Sequence, residues 1–82
     1  MTISLRLAIA GGIRAERARI GLTQAELGER IGRAKQTVQE IEQGKTGLWA
    51  EDLAAVCRAL DCTLAELLER ADPDDRAALG LP

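Results

Sequence analysis

An 82-residue chain of 8.8 kDa makes one small core, which removes about 60–65% of the unfolded chain's surface from water and leaves no room for a large enclosed active site. The composition is 46% hydrophobic with one Trp and no Phe, Tyr or His, so Leu, Ile, Val and Ala must fill the core as in packed helices, and the commonest general base and metal ligand is absent, which argues against an enzyme. The formal charge of −2 conceals an asymmetry, eight Lys/Arg against five Asp/Glu in residues 1–45 and three against eight in residues 46–82, so only the first half is suited to meeting phosphate.

Leu5, Ile9, Ile13 and Ile20, with the stem of Arg17 between the last two, follow one helical stripe and predict a helix from about Ala8 or Ala10 to Ile20, ended by Gly21. Gly11 and Gly12 weaken its first turns. Residues 3–7 alternate apolar and polar, which fits a short strand, an extended arm or an earlier helix start. The apolar run at residues 7–13 is too short to span a membrane and has no cleavage pattern of a signal peptide, so it belongs to the fold.

Thr23-Gln24-Ala25-Glu26 is a capping box that opens a short helix carrying Leu27 and Ile31, stopped by Gly32. A second short helix, about residues 35–43, presents Val38 and Ile41 on one side and ends at Gly44. The next, about residues 50–60, buries Leu53, Val56, Cys57 and Leu60, and Thr63-Leu64-Ala65-Glu66 repeats the capping box ahead of Leu67 and Leu68. Asp72-Pro73-Asp74-Asp75 marks one more helical N-terminus, with Asp72 as cap and Pro73 at the first helical position, and this last piece ends at Gly80. Cys57 and Cys62 are too few for a zinc site and have apolar neighbours, which predicts buried, reduced thiols, a cytoplasmic protein, and neither metal nor cofactor.

Ala25, Leu27, Gly28, Ile31, Val38 and Ile41, with Gly32 between the two short helices, form the skeleton of a helix-turn-helix. Gly28 marks the closest helix–helix approach, and Val38 with Ile41 pins the second helix against Leu27 and Ile31. Over residues 13–68 the chain resembles the Cro/repressor (XRE-type) class of regulators, which includes the lambdoid phage repressors. The runs that carry the resemblance are Gly21-Leu22-Thr23-Gln24-Ala25-Glu26-Leu27, Gln36-Thr37-Val38-Gln39-Glu40-Ile41-Glu42-Gln43-Gly44-Lys45 and Leu60-Asp61-Cys62-Thr63-Leu64-Ala65-Glu66-Leu67-Leu68. It implies an all-α, five-helix repressor-type DNA-binding domain, usually dimeric, with the third helix in the major groove. To this the present sequence adds a short C-terminal helical turn in a tail at residues 72–82 and an arm at residues 1–7, all within one domain of residues 1–82.

At 100° per residue the third helix turns Thr37, Val38 and Ile41 inward and Lys35, Gln36, Gln39, Glu40 and Gln43 outward. The family motif reads bases from the positions held here by Lys35, Gln36 and Glu40, and Gln39 shares their face; Gln suits adenine, Lys guanine and Glu the amino group of cytosine. The resemblance assigns Gln24 and the start of its helix to a backbone phosphate, and position and charge add Arg33, Lys45 and Arg14 as phosphate contacts. It also pairs Arg17 with Glu42 as a structural ion pair joining the first and third helices.

Four residues depart from the family pattern: Arg33, Ala34, Gly28, and Trp49, which stands where a polar cap is usual near the start of the fourth helix. Arg33 replaces an apolar turn residue, Ala34 replaces the Ser, Thr or Asp cap of the third helix at a cost of about 1 kcal/mol, and Gly28 replaces Ala at about 1 kcal/mol more if it lies mid-helix. Trp49 is placed for core or interface use, with a DNA-side anchor as the alternative. Leu64, Leu68, Leu79 and Leu81 exceed what five short helices can cover and predict a homodimer interface in the C-terminal third. The resulting expectation is a dimeric repressor reading an inverted-repeat operator in double-stranded DNA. The alternative is a protein-interaction module, antitoxin-like or adaptor, whose acidic C-terminal half grips a partner protein.

Overall fold

The computed structural model describes residues 5–48, 50–70, 73–78 and 80. The expected roles of Trp49, the Asp72 cap, Leu79 and Leu81 lie outside them. The described chain forms helices α1 (Leu5–Ile20), α2 (Gln24–Ile31), α3 (Lys35–Glu42), α4 (Ala50–Ala59), α5 (Leu64–Glu69) and α6 (Pro73–Ala78), without a strand among the described residues. No helix there is long and apolar enough to cross a membrane.

Helix α1 is the longest, and α3, α5 and α6 all pack on it, while α2 packs against α3 and α4. Its start at Leu5 resolves the alternatives for residues 5–7 in favour of helix. The arm-or-strand reading fails there because Ala8 and Gly12 share one helical face, small and buried, that rewards continuing the helix, and Ala10 is buried as well. The stripe read from the sequence needs correction. Leu5 and Ile20 are exposed, and the buried line is Ala8, Gly12, Ile13 and Glu16 with Ile9 packed alongside. Ile13, Leu22, Leu27, Val38, Ile41, Val56, Leu60 and Leu67 make the common core, drawn from α1 to α5 and their turns.

Both capping boxes close as local chemistry dictates. Thr23 Oγ1 accepts from the Glu26 amide and Glu26 Oε1 from the Thr23 amide, each at 3.0 Å. The Thr63–Glu66 box repeats this at 3.0 and 2.9 Å. The backbone and hydroxyl donors of each Thr hold the Glu26 and Glu66 carboxyls below the usual Glu value. Each box is therefore complete at neutral pH and is lost only as pH falls through these lowered values.

Gly32 ends α2 in the left-handed region at φ 72°, a conformation that suits a residue without Cβ. Helix α3 begins at Ala34 without a side-chain cap, as its sequence implies, and ends on Gln43 and the left-handed Gly44.

The sequence reading of Gly28 as a mid-helix liability facing α3 is revised by what surrounds it. A Cβ there would stand 2.6 Å from the Arg33 carbonyl oxygen and 3.4 Å from the Ala34 carbonyl, because the turn, held by the 2.8 Å bond from Arg33 N–H to Gly28 C=O, folds directly over it. Gly28→Ala should then lose stability in spite of alanine's better helix propensity. The expected net loss is about 1 kcal/mol, read as a fall in melting temperature of about 4–8 °C. A rise would mean that the turn yields without cost.

A buried carboxylate that the sequence reading missed ties the two ends of the fold together. Glu16 accepts from Arg19 Nε at 2.6 Å and from Arg70 Nε at 3.0 Å, so the end of α5 is fastened to α1. Extending the Ile9–Ile13 spacing by three residues lands on Glu16, with Arg19 a further three along, which was the available signal.

Candidate nucleic-acid interface

The exposed side of the α2–α3 unit is made by the start of α2 and the outer face of α3. Lys35 and Gln36 are exposed at the first turn of α3, and Gln39 and Glu40 are half-buried one turn later. Inward-facing Val38 and Ile41 are in the core, so the register that buries these two also sets the four polar residues on the outer side. Lys45 is exposed just past the Gly44 turn, where its amide bonds the Glu40 carbonyl at 3.0 Å. An open polar depression lined by Arg17, Thr23, Gln24 and Lys35 joins the start of α2 to the start of α3.

Glu42 is the point at which this face is fixed to the rest of the molecule. Arg17 approaches its carboxylate with two nitrogens, Nε at 2.7 Å from Oε2 and Nη2 at 3.0 Å from Oε1, and Arg17 Nη1 also donates to the Leu22 carbonyl at 2.9 Å. The hydrogen bond to Glu42 raises the Arg17 pKa further, outweighing burial, so the guanidinium is charged at every accessible pH. Gln24 Nε2 donates to the same Glu42 Oε1 at 3.1 Å, which links α2 into the pair and leaves its amide oxygen and second N–H for other work.

Two residues expected at phosphate have partners inside the chain. Arg14 Nη1 donates to the Glu42 main-chain carbonyl, one of the orphan acceptors at the end of α3. Arg33 Nη2 reaches both oxygens of Asp52 at 2.8 and 2.9 Å, clasping the turn to the first turn of α4. Sequence position alone did not separate these from Lys45, because each partner is distant along the chain.

In the C-terminal third, Leu64 is exposed and Leu68 half-buried. An apolar groove lined by Ala50, Leu53, Ala54, Cys57 and Leu64 runs between α4 and α5. The thiols are half-buried where burial was expected: each packs against the apolar core on one side and borders an open depression with Arg58, Asp61, Thr63 and Glu66 on the other. The polar residues of the α4–α5 turn make up their exposed side. Among the described residues no group of three His, Cys, Asp or Glu is arranged to hold a metal ion.

Residues 13–67 match a family model described as helix-turn-helix. Two crystal structures of the clp gene regulator ClgR from Corynebacterium glutamicum are similar to the whole fold. One is 31% identical with a TM-score of 0.83, over 94% of this chain and 82% of that chain. The other is 31% identical with a TM-score of 0.80, over 98% and 94%.

Proposed function

Because the chain belongs to the helix-turn-helix family of DNA-binding transcriptional regulators, we propose that it acts as a dimeric repressor, reading an inverted-repeat operator with Lys35, Gln36, Gln39 and Glu40. The observation that carries this reading is the joint placement of α2 and α3, with Lys35 and Gln36 exposed at the start of α3 beside the polar depression at Gln24. A phosphate in that depression meets the Gln24 side chain and the amides of the first turn of α2, while Lys45 takes a second phosphate at the other end of α3. Arg14 and Arg33 serve mainly to hold α3 and its turn in position. The homodimer forms through the C-terminal third around Leu64 and Leu68, setting two copies of α3 about 34 Å apart and turning the acidic half away from DNA. With no metal or cofactor in the scheme, regulation follows occupancy of the operator.

Selection of bound duplexes from a random pool at two salt concentrations tests this. The expected product is an inverted repeat with half-site centres about one helical turn apart. Gln36→Ala should alter the preferred base at one position per half-site, costing about 1–3 kcal/mol on the selected operator with little change on random DNA. Lys45→Ala should weaken binding to all duplexes alike and flatten the salt dependence by about one unit per subunit. If no sequence is enriched at low salt, the protein-interaction reading gains; an unchanged base preference in Gln36→Ala refutes the proposed register of α3.

A further inference from the structure

The turn that ends α4 closes in a Schellman arrangement. Cys62 N–H donates to the Cys57 carbonyl at 3.0 Å and Asp61 N–H to the Arg58 carbonyl at 3.2 Å, with Asp61 left-handed at φ 52°. This motif presses its first and sixth side chains together, a place ordinarily filled by two apolar groups. Here both are free cysteines and half-buried, brought side by side by the turn. They pack against the core on one side and on the other line an open depression with Arg58, Asp61, Thr63 and Glu66.

The surroundings narrow what such a pair accepts. Burial, then Cys57, Glu16 and Glu66, push the Cys62 thiol up to about 11, and burial also raises Cys57. Peroxide, which reacts with thiolate, is therefore poorly served. A cation whose bis-thiolate carries net negative charge is disfavoured for the same electrostatic reason, and the two thiols lack the further ligands of a tetrahedral zinc site. An arsenic(III) centre bearing one organic group meets both conditions: its pyramidal geometry holds two sulfurs near contact separation, and its bis-thiolate is uncharged.

We propose that Cys57 and Cys62 form a dithiol site for monosubstituted arsenic(III) compounds. With an arsenoxide, two S–H bonds break and two As–S bonds form, and the arsenic-bound oxygen leaves with both protons as water. No atom changes oxidation state.

Phenylarsine oxide added to the reduced full chain tests the site by intact mass and thiol titration. The expected result is one phenylarsenic group per chain, heavier by that group less two hydrogens, with both thiols lost together. The adduct should survive excess monothiol and be released by a small dithiol. Cys57→Ser and Cys62→Ser should each reduce retention by about 100-fold or more, the chelate advantage of a second linked ligand, with helical content checked by circular dichroism. Two arsenic groups per wild-type chain, loss of the adduct to monothiol, or equal retention by a folded single-Cys variant would overturn the proposal. Should either variant fail to fold, the wild-type stoichiometry and the monothiol challenge decide by themselves.

Discussion

Arg17→Met is expected to destabilise the fold by about 3–5 kcal/mol, because it leaves the Glu42 side chain without its ionic partner in a site where it is only 2% exposed. Gln24 would remain as a neutral donor to that carboxylate, which is less than the guanidinium it replaces. The reverse change, Glu42→Leu, should cost less, about 2–3 kcal/mol, since the stranded Arg17 is 21% exposed and can turn toward water. Arg17→Met with Glu42→Leu together should recover to within about 1 kcal/mol of the native chain, as buried ion pairs often do when both partners become apolar at similar volume. Thermal and denaturant melts of the four proteins give the coupling directly, and two small additive losses would show that the contact contributes no more than two separate surface charges. Glu16→Leu supplies the contrast. Its partners Arg19 and Arg70 are 44% and 55% exposed, so both rehydrate when the carboxylate goes, and the loss should be at most about 1 kcal/mol.

These two carboxylates also show which parts of the molecule could be read in advance. The capping boxes at Thr23 and Thr63 were legible because donor and acceptor lie three residues apart and need no other part of the chain. The outer face of α3 was legible because Val38 and Ile41 fix its rotation. The Arg17–Glu42 pairing came with the family resemblance, while nothing local to either residue indicates it. Glu16 escaped because a charged residue on a helical stripe reads as the boundary of the apolar face, and Arg70, which helps to satisfy it, is 54 residues away. For the same reason Arg14 and Arg33 read as phosphate contacts. Their partners, Glu42 and Asp52, become neighbours only when α3 and α4 are docked.

Gly12 is the position where local propensity misleads most, and its substitution should have one of the largest effects in the chain. From the sequence it weakens α1, as glycine in a helix interior does by about 1 kcal/mol relative to alanine. In the folded protein it is the point where α5 comes against α1. An added Cβ would collide with the Leu67 carbonyl oxygen and stand 3.0 Å from the Leu67 carbonyl carbon and 3.1 Å from its Cγ. The obstacle is mainly backbone, so a side-chain rotation cannot clear it, and the pinned segment is held at its far end by Arg70 on Glu16. Gly12→Val should therefore cost about 3 kcal/mol or more, with Gly12→Ala intermediate once its propensity gain is subtracted. For a domain of this size that is a fall of about 12–24 °C in melting temperature for the valine variant. Pairing Gly12→Ala with Leu67→Ala separates the two sources of the clash. Removing the Leu67 side chain leaves its carbonyl in place and opens a cavity in the core, so the double variant should be less stable than either single one. Rescue would show that the contact is between side chains and that α5 is free to sit further from α1.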